Sequence, residues 1–284
     1  MEQVSVCIAN YKQDAFLKEA IASVEAQDYG NIQIIVFNDR EGVGSGEAFN
    51  RAIEQASGSI IVLLCADDIF IDNKIISDIV CAFERHPDCV HISRLYYQFI
   101  DGDKRPVRAW RNHDVLELAN NPSGLAFRRS AIGECKLTNK MFIEAPSFVK
   151  SVLVRNWGNG WNEHYLIIPW DTVAVRIHAS TARSQGYYKK MWTSSPVEEW
   201  TKLGTTAILS DFTSLIQIKN YYSTQAAIKE AWNFIRLRPV NILNPAFWFF
   251  ALVALTPRLI LMHVPHWYRI TFGRWTTRAI CRPS

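Results

Sequence analysis

Apolar and polar positions alternate in regular blocks along the first 100 residues of the chain. Four short apolar runs are typical of buried strands, and the three segments between them carry apolar residues at helical spacing. The predicted strands cover 4–9, 32–37, 60–64 and 90–99, and the predicted helices cover 14–27, 47–56 and 73–85. Strand–helix alternation with nearly continuous apolar strands predicts an α/β fold, with a mostly parallel sheet covered on both faces.

Beyond residue 100 the pattern loosens. It predicts, in order, a charged stretch over 101–111, a helix over 144–155, and short strands over 165–168 and 173–177. From about residue 195 onward the pattern is mainly helical. We therefore expect a domain over 1–190, with halves 1–100 and 101–190, and a helical C-terminal extension over 191–284.

Polar residues follow three of the predicted strands directly. The clusters are Ala9-Asn10-Tyr11, Asn38-Asp39 and Cys65-Ala66-Asp67-Asp68. Ligands of such sheets bind beyond the carboxyl ends of the strands, so we expect the three clusters to meet at one rim and form the site. The adjacent carboxylates of Asp67 and Asp68 would repel each other unless a cation or hydrogen bonds hold them. Taken singly, each residue also fits an ordinary role as a helix cap or turn residue.

Motifs that the chain lacks exclude several classes of protein. The glycine run at 42–46 lies outside the first strand-to-helix turn, where a dinucleotide fingerprint is needed, and no P-loop sequence occurs. The six cysteines include no Cys-x-x-Cys pair, which argues against a zinc ribbon or a thioredoxin-like site. Neither a signal peptide nor a run of 18 uncharged apolar residues is visible, so we expect a cytosolic, reduced protein.

The net charge of +4 over 284 residues conceals an uneven distribution. Residues 1–230 hold 24 basic and 27 acidic residues, whereas residues 231–284 hold seven arginines, no acid and ten of the 35 aromatic residues. Arginines, aromatics and helices broken by proline favour binding in the interface of an anionic membrane. A helical lid on the core and a dimer interface are the alternatives. Nucleic-acid binding is not expected, since no basic motif of a recognised fold accompanies the arginines.

Residues 3–75 contain an ordered set of short motifs. They are Val4-Ser-Val-Cys-Ile-Ala-Asn-Tyr-Lys12, Phe16-Leu-Lys-Glu-Ala-Ile-Ala-Ser-Val24, Gln27-Asp-Tyr-Gly-Asn-Ile-Gln-Ile-Ile-Val36, Asn38-Asp39, Ala48-Phe-Asn50, Ala56-Ser-Gly58 and Leu64-Cys-Ala-Asp-Asp68. In this order they resemble the opening of family 2 glycosyltransferases, and a weaker match continues as far as His178. The resemblance implies the GT-A nucleotide-sugar fold, which is Rossmann-like, and transfer of a sugar with inversion.

The resemblance also implies roles for individual residues. The residues that would hold the nucleotide-sugar donor are Ala9, Asn10, Tyr11, Asp39, Asp67 and Asp68. Asp67 matches the last carboxylate of a D-x-D motif that binds Mn²⁺ or Mg²⁺ on the donor diphosphate. His178 matches a histidine that approaches this metal in some relatives, although a satisfied histidine at a strand end is an equally ordinary interpretation. The stretch 123–129 would lie near the acceptor.

Three positions depart from the family's pattern. Cys65 replaces the first Asp of the D-x-D motif, Ala9 replaces a Pro, and Ala145 replaces the Asp that acts as general base. A base is needed because the acceptor hydroxyl loses its proton as it attacks. We favour Glu144 as the base; a base from elsewhere and an impaired protein are the alternatives. Glu144 also fits an ordinary structural role, as an acidic residue that stabilises the N-terminus of a helix.

Together these features predict a metal-dependent, inverting hexosyltransferase at the inner, cytoplasmic face of the cell membrane. Its donor would be a nucleoside-diphosphate sugar, with a UDP-sugar preferred, and its acceptor a lipid-linked saccharide in the synthesis of a surface polysaccharide. One alternative is a non-catalytic nucleotide-sugar-binding or scaffold protein, which Cys65 and Ala145 favour. Another is transfer to a polyprenyl phosphate, an anionic acceptor that needs no base. The oligomeric state stays open, a homo-oligomer included.

Overall fold

A computed structural model describes residues 1–100, 103–110, 115–139, 144–178 and 224–255 of the chain. The chain divides into two compact units, Met1–Thr181 and Ala182–Ser284. The boundary predicted between residues 190 and 191 lies outside the described residues.

The first unit is built on an eight-stranded mixed sheet. Its strands are β1 (Val4–Asn10), β2 (Ile32–Asn38), β3 (Ile60–Cys65), β4 (Ile69–Phe70), β5 (His91–Ile100), β6 (Asp103–Trp110), β7 (Ala126–Arg128) and β8 (Tyr165–Ile177). Its helices are α1 (Asp14–Glu25), α2 (Ser45–Glu54), α3 (Ile75–Arg85), α4 (Val115–Leu118), α5 (Arg129–Ile132) and α6 (Glu144–Trp157), with a 3-10 helix over Gly158–Glu163.

The strand order across this sheet is β2-β1-β3-β7-β5-β8-β4, and β6 pairs with β5. Strands β1, β2, β3, β5 and β8 run in the same direction, while β4, β6 and β7 run against them. The sheet is therefore mixed and mostly parallel, as the alternating pattern predicts.

Apolar runs and stripes form the core around the first three strands. The central residues of β1 and all of Ile60–Leu64 in β3 are buried, which accounts for their nearly continuous apolar sequence. The buried side of α3 consists of residues at helical spacing, namely Ile75, Ile76, Ile79, Val80 and Phe83. Helix α2 begins at Ser45 and ends at Glu54, two residues earlier at each end than predicted.

The second half of the sheet differs from the prediction in three places. The two short strands expected over 165–168 and 173–177 are one strand, β8, whose pairing with β5 shifts register next to the exposed Pro169 and Trp170. These two residues interrupt the apolar pattern, which is why the sequence predicts a break. The charged stretch at 101–111 contains strand β6, and the short strand β7 lies within 123–129.

The second unit is helical where the structure describes it. It contains α7 (Thr224–Leu237), a 3-10 helix (Pro239–Leu243) and α8 (Pro245–Leu255). A proline opens each of the last two helices, as expected for a segment divided by prolines. Among the residues described, we find no helix with both the length and the apolar character needed to traverse a bilayer.

Candidate functional site

The carboxyl ends of β1, β2 and β3 meet at one edge of the sheet. Asn10 pairs with Asn38 on one side of β1, and Ala9 pairs with Cys65 on the other. The three polar clusters predicted from the sequence are therefore neighbours. The carboxyl end of β8 reaches the same edge, because His178 Nε2 lies 3.1 Å from Asp67 Oδ2.

The side chain of Asn10 forms hydrogen bonds that stabilise this edge of the sheet. Its buried side chain donates to Asn38 Oδ1 at 2.8 Å and to Asp14 Oδ1 at 2.7 Å, and its Oδ1 accepts from the Gln13 N–H at 3.1 Å. These bonds join the end of β1 to β2 and to the first turn of α1. The side chain of Asn10, predicted to contact a donor, thus lies within the wall of the site.

Asp39 shapes the loop that leads into α2. Its carboxylate accepts hydrogen bonds from the backbone N–H groups of Gly42, Val43 and Gly44, at 2.7, 2.9 and 3.2 Å. Gly42 has a φ of +76°, and a Cβ added there would lie 3.5 Å from the half-buried ring of Tyr11. The glycine run therefore forms a tight loop beside Tyr11, in agreement with its exclusion as a dinucleotide fingerprint.

A mixed cluster of potential metal ligands lies at the end of β3. Cys65, Asp67 and Asp68 each bring one ligand atom to within 4.8 Å of the others. Two atoms that share one divalent ion at about 2.0–2.5 Å are at most about 5 Å apart, so the spacing fits a common ion. Thiol, carboxylate and imidazole, supplied by Cys65, Asp67 and the adjacent His178, are all groups that bind divalent metals.

Asp68 lies behind this cluster. It is 2% exposed; its Oδ1 accepts from the Arg176 N–H at 3.0 Å, and its Oδ2 accepts from Ser123 Oγ at 2.5 Å and Asn121 Nδ2 at 3.4 Å. Burial, reinforced by the charge of Asp67, raises the pKa of Asp68 to about 7, although these hydrogen bonds oppose the shift. Its oxygens hold the frame of the site, whereas the sequence predicts a donor contact for them.

Two polar residues that the sequence did not single out, the buried Arg94 and the partly buried Asn121, support Asp68. Arg94 is fully buried; it donates to Leu118 O and Asn121 O, both at 2.9 Å, and to Asn121 Oδ1 at 3.2 Å. Asn121 Oδ1 also accepts from the Ser123 N–H at 2.8 Å. Burial lowers the pKa of Arg94 to about 10. The available signal was an arginine in the middle of a predicted strand, since a charged residue that a strand buries needs partners.

Arg176 supports Asp67 from the other side. Its guanidinium lies over the rings of Phe16 and Phe99, at 4.6 and 4.9 Å from their centroids, and pairs with Glu19 at 2.6 Å. Its Nε donates to the backbone oxygen of Asp67 at 3.1 Å. Arg176 thereby joins the start of β4 to β8 and fixes the backbone that carries Asp67.

Glu144 is the first residue of α6. Its Oε1 accepts from Ser45 Oγ at 3.0 Å. Burial raises the pKa of the Cys65 thiol well above its usual value, and the charges of Asp68, Asp67 and Glu144 add to the increase, against a hydrogen bond from Ser123. The neighbouring Ala145 is fully buried on the core side of α6.

The segment before α6 is attached to the glycine loop. Asn139 Nδ2 donates to Val43 O at 2.7 Å, and Asn139 Oδ1 accepts from the Glu47 N–H at 3.2 Å. A Cβ on Gly44 would lie only 2.5 Å from Asn139 Oδ1, so this close approach requires glycine. The attachment brings Asn139 next to the start of α2, where Ser45 lies.

Comparison with known proteins agrees with this architecture. No protein-family model matches the chain. An uncharacterized glycosyltransferase of Rickettsia conorii is 30% identical over 160 residues, which cover 47% of this chain and 26% of the relative. An uncharacterized glycosyltransferase of Nostoc sp. is 27% identical over 170 residues, covering 46% of this chain and 52% of the relative. The chain therefore spans about a quarter of one curated relative and about half of the other.

Solved structures show the fold. The crystal structure of S. aureus TarS in complex with UDP-GlcNAc matches with a TM-score of 0.54 and 12% identity, over 89% of this chain and 79% of that chain. A further crystal structure of S. aureus TarS matches with a TM-score of 0.51 and 12% identity, over 87% and 52%. At such identity the likeness concerns architecture. The α/β fold of the chain is that of the GT-A nucleotide-sugar glycosyltransferases, as predicted.

Proposed function

We propose that the chain is an inverting glycosyltransferase of the family 2 type. It moves a hexose or N-acetylhexosamine from a nucleoside-diphosphate sugar, with a UDP-sugar preferred, to an acceptor hydroxyl. The observation that carries the proposal is the pairing of Asp67 with His178, 3.1 Å apart, at the carboxyl edge of a GT-A sheet. Curated relatives that are named glycosyltransferases, and a TarS structure with bound UDP-GlcNAc, support the same chemistry.

The donor is held by the rim that β1, β2 and β3 form. Tyr11, beside the loop that Asp39 holds, offers a flat ring to the base, and Ala9 and Asn10 complete this wall. Asp67 and His178 would hold Mn²⁺ or Mg²⁺ on the diphosphate, which neutralises charge as the nucleoside diphosphate leaves. Arg176 and the buried Asp68 keep Asp67 in place.

Glu144 acts as the general base. Its carboxylate takes the proton of the acceptor hydroxyl while that oxygen forms a bond to the anomeric carbon and the bond to the diphosphate oxygen breaks. Attack from the face opposite the leaving group inverts the anomeric configuration. The hydrogen bond from Ser45 orients one oxygen of Glu144.

The test is turnover by the purified full chain, supplied with nucleoside-diphosphate sugars, Mn²⁺ and a lipid-linked saccharide. Wild type should release nucleoside diphosphate. Glu144→Gln should lower kcat by about 10²–10⁴-fold while donor affinity stays unchanged, because only proton transfer is lost. Glu134→Gln, at an exposed position after α5, is the matched control and should keep wild-type turnover.

Two outcomes would redirect the proposal. Donor binding without release by wild type would favour the non-catalytic nucleotide-sugar-binding or scaffold protein. A product that extracts into organic solvent when polyprenyl phosphate is the acceptor, with Glu144→Gln as active as wild type, would favour direct transfer to that phosphate, since an anionic acceptor has no proton to lose.

The acceptor is proposed to be a lipid-linked saccharide in surface-polysaccharide synthesis, reached at the inner face of the cell membrane. Support comes from the described part of the second unit, residues 224–255, where seven large apolar side chains are exposed: Ile228, Trp232, Val240, Ile242, Leu243, Trp248 and Leu252. The seven arginines and no acid of residues 231–284 suit an anionic surface.

Sedimentation with anionic phosphatidylglycerol vesicles tests this attachment. The full chain should sediment, and Trp232→Glu with Trp248→Glu should release most of it because charge replaces interfacial aromatics. Trp170→Glu, at an exposed position in the first unit, is the matched control. If the double variant sediments like wild type, or changes the oligomeric state instead, the exposed face is an interface between copies.

A further inference from the structure

The end of β3 carries sulfur where a carboxylate stands in the D-x-D motif that it resembles. Cys65 is the last residue of β3, and its Sγ lies within 4.8 Å of ligand oxygens of Asp67 and Asp68. We propose that Cys65 Sγ is itself a metal ligand, so that the site prefers divalent ions that accept a thiolate over Mg²⁺. The inference rests on the proposed function in assuming that the site holds a metal.

The position of Cys65 is fixed from two directions. Its backbone pairs with Ala9 across the β1–β3 ladder, and its N–H donates to Ser123 Oγ at 2.9 Å. A ligand at the end of a strand inside a sheet is held more rigidly than one on a loop. The thiol is thus presented to the cluster by the same frame that holds Asp68.

The remaining groups divide into ligands and supports. Both oxygens of Asp68 accept hydrogen bonds from Arg176, Ser123 and Asn121, so Asp68 serves as a support. Asp67 is more exposed than Asp68 and has His178 Nε2 at 3.1 Å. The set offered to an ion is therefore the sulfur of Cys65 and a carboxylate oxygen of Asp67, with the imidazole of His178 next to Asp67 and further positions for diphosphate oxygens or water.

This set differs in chemistry from two carboxylates. Mg²⁺ takes hard oxygen ligands. Sulfur and imidazole ligands bind Co²⁺, Zn²⁺ or Cd²⁺ more strongly than they bind Mn²⁺. On binding, the sulfur–hydrogen bond of Cys65 breaks, the proton passes to solvent, and a sulfur–metal bond forms. The thiolate and the Asp67 carboxylate together balance the charge of a divalent ion.

The test is titration of the full chain with Co²⁺ alone, in a phosphine reductant, followed by absorption spectroscopy. Wild type should develop a sulfur-to-cobalt charge-transfer band with one equivalent of Co²⁺. Cys65→Ser should lose the band and bind Co²⁺ about tenfold more weakly or worse. Cys65→Asp should lose the band yet gain affinity for Mg²⁺. Cys135→Ser, at a partly exposed position outside the cluster, is the matched control and should keep the band.

The assignment can fail in three ways. A wild-type chain that binds Co²⁺ without the band, or a Cys65→Ser variant that retains it, would overturn the assignment of Cys65 as a ligand. So would a chain that binds no Co²⁺ at all. Because the readout is a spectrum, it is separate from turnover. A band without sugar transfer would support Cys65 as a ligand and count against the proposed enzyme activity. Sugar transfer without a band would support the activity and count against Cys65 as a ligand.

Discussion

The two halves of the sheet in the first unit are built in different ways. The regular half, β1–β3 with α1–α3, has parallel strands in unbroken register and mostly apolar strand centres. The polar half, β5, β7 and β8, has two register shifts between β5 and β8. Its buried residues include polar and charged ones, namely His91, Ser93, Arg94, Thr172 and Arg176. Apolar burial dominates the strands of the first half, whereas the hydrogen bonds of two buried arginines, Arg94 and Arg176, hold the second half in place.

The candidate site combines the two halves. Cys65 comes from the regular half, which positions it by strand pairing, and Asp67 follows in the next turn, where Arg176 of the polar half bonds its backbone oxygen. Ser123 and His178 come from the polar half, which positions them through hydrogen bonds over long sequence separations. A change in the polar half should therefore disturb both stability and the site, whereas a change of similar burial in the regular half should cost only packing.

The largest effect is expected at Arg94. Arg94→Met keeps much of the side-chain volume but leaves the buried carbonyl of Leu118 and the partly buried carbonyl of Asn121 without their donor. Hydrogen bonds to a charged group contribute about 1.5–3 kcal/mol each, so we expect unfolding free energy to fall by about 3 kcal/mol or more. Urea unfolding followed by circular dichroism measures the loss.

The matched change in the regular half is Ile61→Val. Ile61 is as fully buried as Arg94, and removing one methylene group should cost about 0.5–1.5 kcal/mol. If Arg94→Met lowers the unfolding free energy no more than Ile61→Val does, the two halves do not differ in the cost of a buried substitution. The hydrogen bonds of Arg94 would then fix the geometry of the polar half without adding to its stability.

An intermediate effect is expected at Gly124. This residue has a φ of +81°, and a Cβ there would lie 2.7 Å from Val173 Cγ2 and 3.0 Å from Arg94 Nε. Gly124→Ala should lower the unfolding free energy by about 1–3 kcal/mol through strain and displacement of Arg94. Gly30→Ala in the regular half, where the nearest atom would be 3.9 Å away, should change it by about 0.5 kcal/mol or less. Equal losses would show that the contact with Arg94 is unimportant.

The same contrast explains how much of the fold could be predicted from sequence. In the regular half, apolar runs and helical spacing place β1, β2, β3 and α3 within two residues of their observed ends, because each element buries its own pattern. In the polar half, Pro169 and Trp170 conceal the continuity of β8. The partners of Arg94 are 24 and 27 residues away, and no periodicity reveals such pairing.

The candidate site was predictable in place but not in detail. The sequence brings Asp39, Asp67 and His178 to one edge, yet their individual contacts depend on loops that short motifs do not describe. Helix phase was the unused signal at α6. Ala145, Phe148 and Val152 lie on one buried stripe, which places Ala145 in the core. The side chain at position 145 of α6 therefore faces the core and not the site.

The last expected effect is a pH dependence from His91, also in the polar half. Burial lowers the pKa of His91 to about 3; its hydrogen bond with Ala126 O opposes the shift and the charge of Arg94 adds to it. Between about pH 6.5 and 3 the unfolded chain binds a proton that the folded chain does not, so stability falls as pH falls, by at most about 1.4 kcal/mol per pH unit.

This contribution is isolated by comparing variants, because Asp68 acts in the opposite direction. Its raised pKa of about 7 means that the folded chain binds the extra proton between about pH 4 and 7, which adds stability as pH falls. The unfolding free energy of wild type should therefore fall steadily relative to that of His91→Gln as the pH is lowered from 6.5 to 5. His86→Gln, exposed at the end of α3, should show no such trend. A constant difference for His91→Gln would mean that His91 becomes protonated inside the folded protein.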